Sequence, residues 1–173
     1  MTKTPEPSWT SLSKEGSIEI RHYDPMVVAE VTMTGERYKA INEGFRVLAA
    51  YIFGGNADKK EITMTAPVIQ QKSDKQNEWN VVFVMPSTYT LATLPKTGDG
   101  RIRFVEVPAQ KRAVITFSGL NTDKNLSSHY DVLKTWLANK KLAYVGEPVY
   151  AFYNPPWTPF FLKRNEIMVT LTE

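Results

Sequence analysis

Few side chains in this sequence are spaced for catalysis. The chain has no cysteine, which excludes disulfides, thiolate nucleophiles and cysteine metal sites. Its two histidines, His22 and His129, are widely separated, and it lacks a glycine-rich phosphate loop and a G-x-S-x-G nucleophile motif. Three glutamates lie near predicted strands, and their spacing favours none of them as a reactive group: Glu106, Glu147 and Glu166. The sequence therefore predicts a protein that is not an enzyme.

The most unusual stretch is NPPWTPFF, residues 154–161, which holds three prolines and three aromatic residues. It is too rich in proline for a central strand and too apolar for an ordinary solvated loop. Trp157, Phe160 and Phe161 either form an apolar slot for a flat ligand or cap one end of the fold, and both interpretations remain open. The cations that follow, Lys163 and Arg164, are candidate partners for ligand carboxylates. Arg164 can instead pair with a protein carboxylate and fix the last strand.

The elements that position these residues occur twice in the chain. Residues 18–35 align without a gap on residues 102–119, and four pairs are identical: Ile18/Ile102, Ala29/Ala113, Thr32/Thr116 and Gly35/Gly119. In each copy apolar and polar residues alternate, which predicts a pair of half-buried strands. After the glycine the apolar spacing changes to three and four, which predicts one amphipathic helix per copy. The predicted helical stripes are Tyr38, Ile41, Phe45, Leu48 and Ile52 in the first copy and Leu126, Tyr130, Leu133 and Leu137 in the second.

The repeat predicts one domain built from two halves. A chain of 173 residues with 42% hydrophobic content can bury roughly 70% of its surface. Two halves with one helix and a few strands each cover each other's sheet faces better than either does alone. We expect a flexible N-terminal segment at 1–16 and a single domain at 17–173. Within that domain the repeats lie at about 17–86 and 101–173, and a linker lies at 87–100.

Three motifs resemble the SOUL/haem-binding protein family. They are IEIRHYDP at 18–25, ITMTAPV at 62–68 and YNPPWTPFFLKRNE at 153–166, in that order. The resemblance extends over nearly the whole chain and implies an α+β fold. That fold is a distorted antiparallel β-barrel or curved sheet from two pseudo-repeated βαββ-like halves, with two helices packed outside. The same duplicated plan occurs in the GyrI-like small-molecule-binding domains.

The resemblance also implies a function, which is to bind haem or another tetrapyrrole for buffering or delivery. In one model of the family a histidine ligates the haem iron, and the matching residue is His22. In the other model there is no axial ligand, and the ring lies on an apolar patch between the first helix and the late loop. By motif position, the patch comprises Asn42, Phe45, Ala49 and Ala50 of the helix and Pro156, Trp157 and Phe160 of the loop. We add Arg46, which is the nearest basic residue on the helix. Asn42 and Ala50 stand where the family has basic residues, so we expect apolar contact to hold the ring.

Two other classes of function remain open. The GyrI-like similarity implies a small-molecule-binding protein, or a hydrolase, that uses a glutamate and a tyrosine in a central cleft. Alternatively, the loop of prolines and aromatic residues docks a partner protein, and the chain is an interaction module.

The composition limits the choice of partners. The chain has 21 basic and 18 acidic residues, a net charge of only +3, and its basic residues are scattered, which argues against nucleic acid. No apolar run approaches the roughly 20 residues of a membrane-spanning helix. Residues 1–17 lack the apolar core of a signal peptide. We therefore expect a cytoplasmic monomer, or a periplasmic or organellar protein if a leader has been removed.

Overall fold

A computed structural model describes residues 4–172, which form nine strands, two α-helices and one 3₁₀ turn. The strands are β1 (Trp9–Glu15), β2 (Ile18–Tyr23), β3 (Met26–Thr34), β4 (Val68–Lys72), β5 (Glu78–Val84), β6 (Arg103–Val107), β7 (Gln110–Phe117), β8 (Tyr144–Phe152) and β9 (Asn165–Leu171). The helices are α1 (Arg37–Ile52) and α2 (Asp123–Asn139), and the 3₁₀ turn is Phe160–Leu162. The chain divides into two compact units, residues 4–7 with 25–108 and residues 8–24 with 109–172.

The first unit is an antiparallel sheet in the order β4-β5-β3-β6, with α1 packed on β3 and β5. Apolar side chains at helical spacing form the buried face of α1, among them Ile41, Leu48 and Ile52. Gly44 lies on the same face, and a Cβ atom there would come within 2.6 Å of a methyl carbon of Val81 on β5. Only a glycine lets the helix approach this strand so closely.

The second unit has the strand order β1-β2-β7-β9-β8, again antiparallel, with α2 packed on β7 and β9. The side chain of Thr122 accepts a hydrogen bond from the amide of Asn125 and caps the start of α2. One apolar cluster forms the core: Ile18, Ala113, Ile115, Phe117, Leu126, Leu133, Leu137, Ile167 and Val169. Because side chains alternate along a strand, the neighbouring residues of β2, β7 and β9 point to the other face of the sheet.

The predicted α+β fold, with antiparallel strands and one helix in each half, is confirmed. The two units correspond in strand order, β4-β5-β3-β6 and β8-β9-β7-β2, and the second unit adds β1 at its edge. The first strand of each predicted repeat pairs with the second strand of the other repeat. Thus β2 of the first repeat pairs with β7 of the second, and β6 of the second repeat pairs with β3 of the first. The grouping of residues 17–173 into a single domain stays a prediction.

Two local features differ from the sequence-based expectation. Part of the segment 1–16, for which the sequence indicates flexibility, forms β1 and pairs with β2. Six of the seven residues of β1 are exposed, so the strand carries little apolar signal. Tyr38, assigned by its spacing to the buried stripe of α1, is 59% exposed. The helix instead packs through the face that contains Gly44 and Leu48.

Candidate functional site

The outer side of α1 carries large aromatic residues. Tyr38 is 59% exposed, Phe45 is 37% exposed, and Phe53, directly after the helix, is 61% exposed. They are spaced about two turns apart, which places them along one side of the helix, with Asn42 and Ala49 between them. We call these five residues the aromatic surface of α1. Aligned exposed aromatic side chains of this kind are typical of a surface that contacts a ligand or a partner.

Local contacts hold this surface in place. The ring of Phe45 packs edge-on against Phe83 of β5, with ring centroids 5.4 Å apart and planes at 62°. The side-chain amide of Asn42 donates a hydrogen bond of 3.0 Å to the backbone carbonyl of Tyr38. Ala49 is itself buried, so Tyr38, Asn42, Phe45 and Phe53 form the exposed part of this surface. A surface that is already ordered loses little entropy when it binds.

Two cations accompany the aromatic surface. Arg46 is exposed on α1, and it makes no hydrogen bond or ion pair with any residue in the part of the chain that the structure describes. Immediately after Phe53 begins the lining of an open cavity of about 560 Å³, formed by Gly54, Gly55, Asn56, Ala57, Lys59, Thr97 and Gly98. This volume lies in the range of small-molecule sites. The charged side chain in its lining is that of Lys59.

The loop that follows β8 is exposed in the second unit. Trp157 is 83% exposed and Phe160 is 59% exposed, and the ring of Phe160 meets that of Phe161 edge-on with centroids 5.5 Å apart. The amide of Gly119 donates a hydrogen bond of 2.9 Å to the carbonyl of Phe160 and so fixes the position of the loop. These aromatic residues therefore face solvent and do not cap a core.

The predicted tetrapyrrole residues fall into two groups, one in each unit. Asn42, Phe45, Arg46, Ala49 and Ala50 lie on α1, where all but Ala49 are exposed. Pro156, Trp157 and Phe160 lie in the exposed loop. Sequence reasoning missed Tyr38 and Phe53 as surface residues. Their spacing about two turns either side of Phe45 was the signal that could have indicated them.

His22 is exposed near the end of β2, opposite Lys111 of β7 and Thr10 of β1. His22 lies on the same side of β2 as Ile18 and Ile20. Burial on this side of β2 decreases from Ile18, which is buried, through Ile20, which is half-buried, to His22. Among residues 4–172, no group of three or more histidine, aspartate and glutamate side chains is placed to hold a metal ion.

The second unit contains a buried group of charged side chains around Glu166. Glu166 of β9 has no exposed surface. The guanidinium of Arg21 on β2 donates to both of its carboxylate oxygens, at 3.0 and 2.8 Å. Further donors to this carboxylate are the hydroxyls of Tyr153 and Thr116 and the guanidinium of Arg164. We call this group the Glu166 cluster.

The surroundings of Arg21 complete the Glu166 cluster. Its guanidinium also donates to Glu19 at 2.8 Å and to the hydroxyl of Tyr23 at 2.9 Å, and it lies 4.0 Å from the ring centroid of Trp9. No buried side-chain nitrogen or oxygen of the described residues lacks a hydrogen-bond partner. The cluster is therefore a completed network, which is the condition under which buried charge is tolerated.

The electrostatics of the Glu166 cluster favour ionised Glu166 and neutral Tyr153. Burial, the largest single influence, raises the pKa of Glu166, but Arg21, together with the hydrogen bond from Tyr153 and the charge of Arg164, outweighs burial and lowers it. Burial, followed by the negative charge of Glu166, raises the pKa of Tyr153, so its hydroxyl remains a donor. A carboxylate with a lowered pKa does not act as a proton donor near neutral pH. The ion pair between Arg164 and Glu166, at 3.2 Å, agrees with the structural interpretation of Arg164.

The architecture is shared with several solved structures. The EcmrR C-terminal domain matches with a TM-score of 0.70 at 12% identity, covering 90% of this chain and 97% of that one. A hydrolase from Listeria innocua matches with a TM-score of 0.62 at 11% identity, covering 93% and 94%. SAV2435 bound to tetraphenylphosphonium matches with a TM-score of 0.52 at 9% identity, covering 90% and 98%. These low identities show a shared fold.

Within this fold class, the sequence defines the family. The chain belongs to the SOUL haem-binding protein family, whose model matches residues 4–170. No curated protein matches the sequence. No helix within residues 4–172 has the length and apolar character to span a membrane.

Proposed function

We propose that this protein binds haem or a related tetrapyrrole and buffers or delivers it without catalysing a reaction. The observation that carries the proposal is the aromatic surface of α1, taken together with membership of a haem-binding family. A porphyrin is flat and largely apolar on both faces, so it gains most from exposed aromatic side chains that are already ordered. Apolar contact with this surface holds the ring.

Arg46 and Lys59 are the proposed partners of the ring carboxylates. Arg46 follows Phe45 in the chain, and Lys59 lines the cavity that begins after Phe53. Neither cation is bonded to another side chain among the described residues, so each is available to a ligand. A carboxylate of the ligand gains a charge-assisted hydrogen bond from either cation.

We propose that no strong bond from the protein to the iron is required. No histidine lies on α1, and His22 is exposed on β2. In the alternative model, His22 is the axial ligand of the haem iron. The variant His22→Ala distinguishes this model from binding by apolar contact alone. An unchanged haem spectrum in this variant supports apolar binding, whereas loss of a low-spin spectrum would assign the iron ligand to His22.

Titration with haemin in solution tests the proposed function. We expect a shift of the Soret band and quenching of tryptophan fluorescence at micromolar haemin. Iron-free protoporphyrin should bind with a similar affinity if apolar contact dominates. If neither the Soret band nor the fluorescence changes at micromolar haemin, the protein is not a tetrapyrrole carrier.

The loop group is tested separately, because it lies in the second unit. Trp157→Ser combined with Phe160→Ser removes two exposed aromatic rings without opening a core. A weaker haemin affinity in this variant would include the loop in the binding site. An unchanged affinity would confine the site to α1.

A second candidate function is the binding of a lipophilic cation by a buried carboxylate. The observation that favours it is the contact between Glu166, one of the three candidate glutamates, and Tyr153. The GyrI-like similarity implies a glutamate and a tyrosine together, without indicating which ones. Arg21 already neutralises this carboxylate at 2.8 Å, so a cationic ligand would have to displace it. Titration with tetraphenylphosphonium, the ligand in the SAV2435 structure, tests this candidate. Binding that Glu166→Gln abolishes would establish it, and no binding would exclude it.

A further inference from the structure

We propose that the loop at 155–163 docks the protein reversibly on a bilayer surface that contains anionic lipid. Trp157, Phe160, Phe161 and Leu162 are 83%, 59%, 63% and 63% exposed. These four large apolar side chains lie within six consecutive residues and form a patch that soluble monomers seldom expose without a binding partner. Tryptophan, phenylalanine and leucine are also the residues that segments lying on a membrane insert below the lipid headgroups.

The backbone of the loop is suited to an apolar medium. Three of its nine residues are prolines, at 155, 156 and 159, and have no N–H group. Three further amides donate hydrogen bonds to carbonyls within the loop, at 3.1, 2.9 and 3.3 Å: those of Thr158, Leu162 and Lys163. Unpaired N–H groups are what makes the entry of irregular backbone into lipid unfavourable. Most of this loop therefore enters an apolar layer without uncovering a donor.

The patch is presented on a fixed support. The amide of Tyr153 donates to the carbonyl of Arg164 at 3.3 Å, which closes the base of the loop. The bond from Gly119 to the carbonyl of Phe160 attaches its far side to the end of β7. Leu120, next to Gly119 in the chain, is also apolar and 54% exposed. Because the loop is already ordered, docking costs little conformational entropy.

The charge around the patch favours an anionic surface. Residues 153–165 contain two cations and no acidic residue. Arg164 is bonded to Glu166, whereas Lys163 forms no ion pair with any residue that the structure describes. A lysine beside inserted aromatic residues interacts favourably with anionic headgroups. The net charge of +3 acts in the same direction.

Membrane docking and tetrapyrrole binding can be separated by substitution. Trp157 and Phe160 belong to the predicted tetrapyrrole group and Phe161 to the apolar slot considered from the sequence, whereas Leu162 belongs to neither. The combined change Phe161→Asp and Leu162→Asp places two charges in the patch and leaves Trp157 and Phe160 in place. Both replaced residues are more than 60% exposed, so the fold does not depend on them. Because Leu162 is in no group proposed to bind the tetrapyrrole, haemin titration of Leu162→Asp alone in solution, without vesicles, should match the wild type.

Vesicle flotation of the whole protein tests the proposal. We use vesicles of phosphatidylcholine alone and of phosphatidylcholine with about one-third phosphatidylglycerol. The matched control is Val132→Asp with Val145→Asp, which places two charges on exposed valines elsewhere in the second unit. We expect wild type and control to float with the anionic vesicles and the Phe161/Leu162 variant to bind about ten-fold or more weakly. Lys163→Gln should weaken binding to anionic vesicles by about five-fold, with little effect on neutral ones.

Two results would overturn the proposal. The first is that wild-type protein fails to float with anionic vesicles, or floats no better than the Phe161/Leu162 variant. The second is concentration-dependent self-association in sedimentation that the same variant abolishes, because the patch would then bind a second copy of the chain. A blue shift of tryptophan fluorescence on vesicles that Trp157→Phe removes would support insertion of the loop itself.

Discussion

Thr32 and Thr116 occupy corresponding positions on β3 and β7, yet they contact different partners. The hydroxyl of Thr32 donates to the side-chain carbonyl of Asn80, directly opposite on β5, at 2.7 Å. The hydroxyl of Thr116 donates to Glu166, directly opposite on β9, at 3.1 Å. Asn80 is a neutral, half-buried residue, whereas Glu166 is a charged residue with no exposed surface. The same strand geometry therefore supports a local polar contact in one unit and a buried ion cluster in the other.

This difference shows what a single carboxylate requires of its surroundings. An amide opposite Thr32 is satisfied by a neutral donor, whereas a buried carboxylate needs opposite charge and several hydrogen bonds. Arg21, Arg164 and Tyr153 meet that need for Glu166. Because they are occupied with one another, the Glu166 cluster acts in stability. Groups that remain available to a ligand include the aromatic surface of α1, Arg46 and Lys59, and the loop at 155–163.

The largest effect should come from Glu166→Ala. The change leaves Arg21 buried without its principal partner, and breaking a buried ion pair in this way costs about 3–5 kcal/mol of unfolding free energy. Urea unfolding at neutral pH measures the loss, with far-UV circular dichroism to confirm a folded starting state. A loss under about 1 kcal/mol would show that the cluster is not what stabilises the second unit.

A smaller effect should appear on acidification. The pKa of Glu166 in the folded state lies below its ordinary value of 4.5, because Arg21, Tyr153 and Arg164 together outweigh the opposing effect of burial. The stabilisation from ionised Glu166 is therefore present above pH 4.5 and is lost as the pH falls through the folded-state pKa.

The matched variant for this pH dependence is Glu166→Gln, which cannot ionise. We expect the difference in unfolding free energy between wild type and this variant to narrow steadily from pH 5 downward. Unfolding curves at a series of pH values measure it. A difference that stays constant with pH would mean that the pKa of Glu166 is the same in the folded and unfolded protein, so that the cluster does not favour its ionised form.

The smallest effect should come from Asn80→Ala in the first unit. This change removes one half-exposed hydrogen bond to Thr32, and water can replace the lost partner, so we expect a loss of about 0.5–1.5 kcal/mol. Its urea unfolding is compared directly with that of Glu166→Ala. Equal losses of unfolding free energy in the two variants would contradict the inference that the partner of Thr116 contributes more to stability than the partner of Thr32.

Regular alternation and helical spacing made most of the fold predictable. The strands β2, β3 and β7 and both helices follow from apolar periodicity, because one side of each is buried. The edge strand β1 was not predictable in this way, because its side chains are almost all exposed and its pairing with β2 depends on backbone hydrogen bonds. Gly44 gave no signal either, since its role lies in contact with Val81 on another element.

The site was less predictable than the fold, for a physical reason. Arg21 and Glu166 are separated by 145 positions, and nothing local in either segment indicates that they meet. The aromatic surface of α1 carries apolar residues at the same spacing as a buried face, so Tyr38 was assigned to the core. His22 follows the correct alternation but lies where the apolar cluster has ended. Spacing identifies the side of an element, whereas burial depends on what covers that side.

The central claim is that the aromatic surface of α1 binds a tetrapyrrole, and haemin titration of Tyr38→Asp combined with Phe45→Asp tests it most directly. The matched control is Leu91→Asp, which charges another apolar residue of the first unit that is 43% exposed. We predict micromolar haemin binding by wild type and control and an affinity at least about ten-fold weaker in the double variant, because two apolar contacts with the ring are lost. Equal haemin affinity in a folded double variant and the wild type would contradict the claim.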